Sequence, residues 1–157
     1  MKEKYRDTEL DLLVGFETEY IAPHTIENIN SLVLKYDFDF IVGSIHHVKG
    51  IPIDYNRQKW NEAADACGSL EKLFETYFDE QLILIDAIRP AVIGHFDVIR
   101  LWAPDPLVQL QKWPKVWEKI KRNIKLVVSY GGIFELNSAA LRKGFNEPYP
   151  TEEIAKV

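Results

Sequence analysis

Ile88-Arg89-Pro90-Ala91-Val92-Ile93-Gly94-His95-Phe96-Asp97 is the stretch in which one periodicity gives way to another. Upstream of it, Leu70, Leu73, Phe74, Tyr77, Phe78, Leu82, Ile85 and Ile88 recur at three- and four-residue steps. That spacing predicts one long amphipathic helix over 69–88, with Ser69 available as its cap. Pro90 ends it, because proline lacks the N–H a helix needs and disfavours helical backbone in the residue before it. Ala91-Val92-Ile93 then reads as a short strand running into Gly94, His95 and Asp97. A helix that feeds an apolar strand with polar residues at its far end is half of a strand-helix-strand crossover.

The same unit recurs on either side. Leu10 to Phe16 is an apolar run that predicts a buried strand over about 11–16. Behind Pro23, the steps Ile26, Ile29, Leu32 or Val33, and Tyr36 predict a helix, and Phe38, Phe40, Ile41 and Val42 a second strand ending at Gly43. Trp113, Val116, Trp117, Ile120, Ile124, Val127 and Val128 predict another helix, with Pro114 in its first turn and Gly131-Gly132 beyond its end. Ile133 to Leu136 is the fourth strand, and Thr151-Glu152-Glu153-Ile154 opens a last helix with Thr151 as its cap. Strand and helix alternate, which predicts an α/β fold with a parallel sheet, either doubly wound or part of a barrel. Four units are fewer than a barrel of about 200 residues or more requires.

A chain of 157 residues with 46% hydrophobic and 12% aromatic residues has enough apolar surface for one folded domain. Nineteen basic against 24 acidic residues give a net charge of −5, with no basic run to neutralise phosphates, so a nucleic-acid partner is not expected. Charged residues interrupt the segment after Met1, and no run reaches the roughly 20 apolar residues of a membrane span. A membrane role is therefore not expected either. Cys67 is the single cysteine, which excludes an internal disulfide and makes the cytoplasm the simplest setting. There is no Gly-x-Ser-x-Gly elbow, no Gly-x-Gly-x-x-Gly and no Walker loop, so serine-hydrolase chemistry and nucleotide binding have no support. Trp60, Trp102, Trp113 and Trp117 read as core.

Polar residues follow every predicted strand, where α/β folds assemble their sites. Glu17 and Glu19 share one side of an extended chain, because side chains alternate with period two. Taken alone, such a pair is ordinarily a solvated strand end. In Gly43-Ser44-Ile45-His46-His47 two imidazoles follow a small-residue turn. Imidazole is the commonest metal ligand, and adjacent histidines in extended chain diverge, so one would ligate while the other lines the substrate side. Two loop histidines bonded to backbone are an equal alternative. His95 repeats the pattern on the third strand, with Asp97 placed to orient an imidazole and a surface histidine with a capping aspartate as the plain reading. Three strand ends bearing carboxylate or imidazole favour one shared site and a metal-dependent hydrolase.

The ordered set Gly15-Phe16-Glu17-Thr18-Glu19-Tyr20-Ile21, Gly43-Ser44-Ile45-His46-His47-Val48, Gly50-Ile51-Pro52-Ile53-Asp54-Tyr55, Gly94-His95-Phe96-Asp97-Val98-Ile99-Arg100 and Glu135-Leu136-Asn137 resembles the histidinol-phosphatases of the PHP (polymerase and histidinol phosphatase) superfamily. Ala139 to Gly144 and Glu147-Pro148-Tyr149-Pro150 are similar to its fungal-type members. The resemblance implies a distorted (β/α)7 TIM-like barrel, two or three divalent ions (Zn, Mn or Fe), and hydrolysis of L-histidinol phosphate to L-histidinol and phosphate in histidine biosynthesis. It implies that Glu17 is a bridging metal ligand and that His46 and His95 are imidazole ligands, the three forming the catalytic centre. It puts Arg100 on the substrate phosphate, with His47 and Asp54 on the substrate side. The family's amino-terminal His-x-His and carboxy-terminal Asp-x-His motifs are absent, so residues 1–157 read as the central part of one PHP domain and a partial barrel. By themselves they are expected to hold metal weakly and turn over little. The alternatives are a catalytically incompetent remnant and a PHP phosphoesterase of other specificity.

Overall fold

The computed structural model describes Tyr5 and residues 9–157. Its first strand, β1 (Gly15–Glu19), is followed by helix α1 (Pro23–Lys35) and strand β2 (Phe40–Ser44). A two-residue hairpin, β3 (His47–Val48) and β4 (Ile51–Pro52), precedes helices α2 (Arg57–Cys67) and α3 (Leu70–Ile88). Strand β5 (Val92–Ile93) leads through short 3₁₀ turns to α4 (Pro114–Ser129), β6 (Ile133–Phe134), α5 (Ala139–Arg142) and α6 (Glu152–Ala155). Strands β1, β2, β5 and β6 form one parallel sheet in that order. The fold is α/β with helical crossovers, as the alternating periodicities require. None of the described helices is long and apolar enough to cross a membrane.

The helix boundaries follow local chemistry. Ser69 Oγ accepts the Lys72 N–H at 3.2 Å to open α3, and Arg89 ends it in the left-handed region just before Pro90. The Gly131 and Gly132 amides close α4 on the Val128 and Val127 carbonyls. Thr151 does not cap α6: its hydroxyl instead donates to Asp97 Oδ2, because that carboxylate is buried and needs donors.

Several elements depart from what the sequence pattern predicts: the fourth strand is shorter, at 133–134, a short helix forms at 139–142, and three further differences have clear causes. The first strand lies at 15–19 rather than 11–16, and Leu10 and Leu13 are 66% and 60% exposed. Pairing decides this, since the register Gly15↔Phe40 to Glu19↔Ser44 draws the two glutamates into the ladder and leaves the leucines outside it. Helix α2 carried little apolar signal because only Trp60 and Ala63 are buried along it. Its bounds are Asn56, whose side chain accepts the Lys59 N–H, and Gly68 at φ +86. The β3–β4 hairpin is too short to show an alternation.

Helix α3 is the centre of the packing, contacting α1, α2, α4, β2 and β3. Leu73, Phe74, Tyr77, Phe78 and Ile85 are fully buried along it. The Phe96 carbonyl accepts from Tyr77 Oη and Gln81 Nε2, and Trp60 Nε1 donates to the Ile99 carbonyl. These bonds tie the segment after β5 to the helical layer. Cys67 is half-buried beside Thr76. At Gly43 a Cβ would overlap the Pro90 ring and press on Leu84. Gly43→Ala is therefore expected to lower stability by about 1–3 kcal/mol, read from urea midpoints at unchanged m-value.

Candidate metal centre

Parallel strands put their carboxy-terminal ends on one rim, so Glu17 on β1, His46 just beyond β2 and His95 just beyond β5 approach one another without being close in sequence. Donor atoms of the three lie within 4.8 Å of one another. The Nε2 atoms of His46 and His95 are 3.0 Å apart, and Glu17 Oε1 is 3.3 Å from His95 Nε2 and 3.7 Å from His46 Nε2. Donors sharing one ion through bonds of about 2.0–2.1 Å stand about 3.3 Å apart in tetrahedral geometry, so the spacing suits a single cation. One carboxylate and two imidazoles suit a divalent ion such as zinc and leave further positions open to water or substrate.

The protonation states agree with that chemistry. Burial, and then the charge of His46, hold His95 below the ordinary imidazole pKa despite Glu17 and Glu135. Its ring is thus poised as the neutral form that ligates. Burial would lower His46 as well, but the hydrogen bond that its ring donates to Glu19 and the charges of Asp54, Glu19 and Glu17 outweigh it and raise its pKa. The proton so attracted is what a metal cation at the same place would replace.

A second tier of groups holds these donors. Ser44 Oγ donates to Glu17 Oε1 at 2.6 Å. Glu19 Oε2 lies 2.7 Å from His47 Nδ1 and 3.4 Å from His46 Nδ1. Burial alone would raise the Glu19 carboxyl, yet the two imidazoles hold it below its usual value. The adjacent histidines therefore do not diverge. The chain leaves β2 before His46 and enters β3 at His47, and both rings close on one carboxylate. Glu135 Oε2 accepts the His95 backbone N–H at 2.9 Å and Asn137 Nδ2 at 3.0 Å. Glu19, Glu135 and Asn137 stand at strand ends in the sequence with no pattern that assigns them roles; a period-two count from Glu17 points to Glu19, whereas nothing local points to Ser44.

Asp97 and Arg100 are not brought to the imidazoles. Asp97 Oδ2 accepts Arg100 Nη1 at 3.0 Å, the Thr151 N–H at 3.2 Å and Thr151 Oγ1 at 3.3 Å. Asp97 Oδ1 and His95 Nδ1 are each buried without a hydrogen-bond partner among the described residues. Arg100 also donates through Nε to the Pro106 carbonyl at 2.6 Å and is 2% exposed. It borders a polar cavity of about 410 Å³ with Gln109, Glu147, Glu153 and Lys156, none of them in the Glu17–His46–His95 group. The i, i+3 spacing of Asp97 and Arg100 on a 3₁₀ turn makes them partners of each other, with the guanidinium buried against that carboxylate at the edge of the cavity. The Asp54 backbone carbonyl accepts from Trp102 Nε1 at 3.4 Å, while its carboxylate acts on His46 through charge.

A parallel α/β sheet with a carboxylate-imidazole donor set at its carboxy-terminal rim defines a domain in which three residues could hold a metal ion. The chain belongs to the PHP domain family, whose family model matches residues 1–139. It is 46% identical over its whole length to a Schizosaccharomyces pombe protein named "Probable histidinol-phosphatase", covering 52% of that protein. It is 32% identical over 96% of its length to the "Histidinol-phosphatase" of Saccharomyces cerevisiae, again covering 52% of it. A "Probable histidinol-phosphatase" of Deinococcus radiodurans is 23% identical over 94% of the chain. The chain spans about half the length of these curated relatives.

Proposed function

We propose that this chain is the central part of a PHP-domain phosphomonoesterase acting on L-histidinol phosphate in the cytoplasm, with Zn, Mn or Fe as the divalent ion. The convergence of Glu17, His46 and His95 carries the reading, and the names of the two fungal relatives supply the substrate. The four parallel strands, with β1 and β6 at the edges among the described residues, are in this proposal an arc of a distorted (β/α)7 barrel.

Hydrolysis forms a bond from water oxygen to phosphorus and breaks the bond from phosphorus to the histidinol oxygen, and the proton lost by water ends on the alcohol. A divalent ion held by Glu17, His46 and His95 would supply Lewis-acid polarisation of the phosphoryl group and acidification of water. Glu19 fixes His46 and His47 together, and by engaging His47 Nδ1 it leaves the Nε2 edge of that ring for the substrate side. Asp54 supplies negative charge for the ammonium of histidinol. Arg100 is assigned to the fold, through Asp97.

The test is a chimera in which this chain replaces the matching half of the Schizosaccharomyces pombe relative. Phosphate release from histidinol phosphate that is removed by chelation and restored by Zn2+ or Mn2+ is the expected result. A folded, metal-loaded chimera that releases no phosphate overturns the proposal.

A further inference from the structure

Three consecutive members of the sheet meet at one hydroxyl. Ser44, at the end of β2, is 2% exposed and donates to Glu17 Oε1 on β1 at 2.6 Å. That is the length of a charge-assisted O–H···O⁻ bond, stronger than a neutral one. The Glu17 side chain is otherwise open, at 51% exposure, so the buried hydroxyl is the fixed end against which a long, mobile carboxylate is held. On the other side of β2, a Cβ at Gly94 would come within 2.5 Å of Ser44 Oγ, with the next neighbours at 3.3 Å (Val42 Cγ1) and 3.7 Å (Glu135 Oε2). Gly94 is not among the glycines with positive φ. Space, not backbone conformation, is therefore what glycine supplies there, and the atom that needs the space is the Ser44 hydroxyl.

We infer that Ser44 is a positioning residue that sets Glu17 for the cation, and that Gly94 is glycine so that this hydroxyl can stand where it does. The inference rests on the proposed metal role of Glu17, His46 and His95. Ser44 has no part in the chemistry itself; it acts through Glu17, by restricting the carboxylate to the rotamer in which Oε1 lies 3.3 Å from His95 Nε2. Removing the hydroxyl leaves that carboxylate in place but unanchored, and groups that orient a metal ligand typically contribute about 10–100-fold to metal affinity. A methyl at Gly94 displaces the same hydroxyl from the opposite side. In a Ser44→Ala background that methyl meets nothing closer than the 3.3 Å contact with Val42.

The experiment is Zn2+ affinity of the full 157-residue chain by competition with a chelating dye, for S44A, G94A, E17A and their pairs. Ser44→Ala and Gly94→Ala are each expected to weaken Zn2+ about 10-fold or more. Gly94→Ala added to Ser44→Ala, and Ser44→Ala added to Glu17→Ala, are expected to cost little beyond the single variants, because each pair acts through one contact. Additive losses, or a Ser44→Ala chain with wild-type affinity, overturn the inference while leaving the metal reading intact. A wild-type chain whose Zn2+ uptake is insensitive to Glu17→Ala removes the metal reading and this inference with it. A metal-free urea cycle of S44A against E17A separates that result from loss of the hydrogen bond: coupling between the two shows the bond formed without a cation to serve.

Discussion

Replacing His95 with alanine is expected to weaken divalent-cation binding by about 100-fold or more, a larger loss than removing a group that merely orients a ligand. The Nε2 atom of His95 stands 3.0 Å from its counterpart on His46 and 3.3 Å from Glu17 Oε1, so its removal leaves two donors where three converge. Metal-free stability should change far less, because the ring is held neutral and its Nδ1 has no hydrogen-bond partner among the described residues to lose. Dye competition for Zn2+ and urea denaturation of the metal-free chain, run side by side, check both halves. A His95→Ala chain that retains wild-type affinity would refute the three-donor site.

Arg100→Met is expected to do the reverse, destabilising the fold by about 3–5 kcal/mol with the Glu17–His46–His95 donors untouched. Asp97 is fully buried, and among the described residues the Arg100 guanidinium is its one ionic partner, at 3.0 Å. Burial pushes the Asp97 carboxyl up from 3.8 to about 6, even though Arg100 and the Thr151 hydrogen bonds act to lower it. A carboxyl whose pKa is raised by folding binds more protons folded than unfolded between those two values. Its contribution to stability therefore declines as pH rises from 3.8 to about 6. Without Arg100 the folded pKa rises further, so the deficit of the variant should widen above pH 6 and narrow toward pH 5. Urea midpoints at pH 5 and pH 8 test this, and a deficit that is equal at both pH values would show that the charge of Asp97 is not its cause. Asp97→Leu combined with Arg100→Met should recover much of the loss, since an apolar pair leaves no charge buried.

The proposed ligands were legible because each sits beside a local signal. Gly43 and Gly94 punctuate short apolar runs, and His46 and His95 follow them within three residues. The alternation of strand and helix then puts such residues on one rim, since parallel strands joined by right-handed crossovers all point the same way. The helices at 70–88 and 114–129 were equally plain, because a long amphipathic period is carried by many residues at once.

Arg100 shows where that reading stops. The resemblance puts it on the substrate phosphate, yet whether a guanidinium faces a ligand or a carboxylate depends on what is packed over it. Thr151 and Pro106, 51 and 6 residues further along the chain, complete the environment in which Asp97 and Arg100 hold each other. The divergence expected of His46 and His47 failed for a similar reason. Alternation describes a continuous strand, and the chain between β2 and β3 is not one.

The sequence by itself determined the class of fold, the two long helices and the order of the parallel strands along the chain, because periodicity and glycine or proline punctuation are properties of neighbouring residues; it left Glu17 beside Glu19 and His46 beside His47, and the resemblance to the family is what singled out the three donors. Tertiary structure alone decided the register that moves the first strand to 15–19, the closing of Glu19 on both imidazoles, the Ser44 hydroxyl between Glu17 and Gly94, and the burial of Arg100 on Asp97. Each of these is a contact between residues far apart in the chain or a choice among partners at equal reach, and such a choice is made by which groups packing leaves without water.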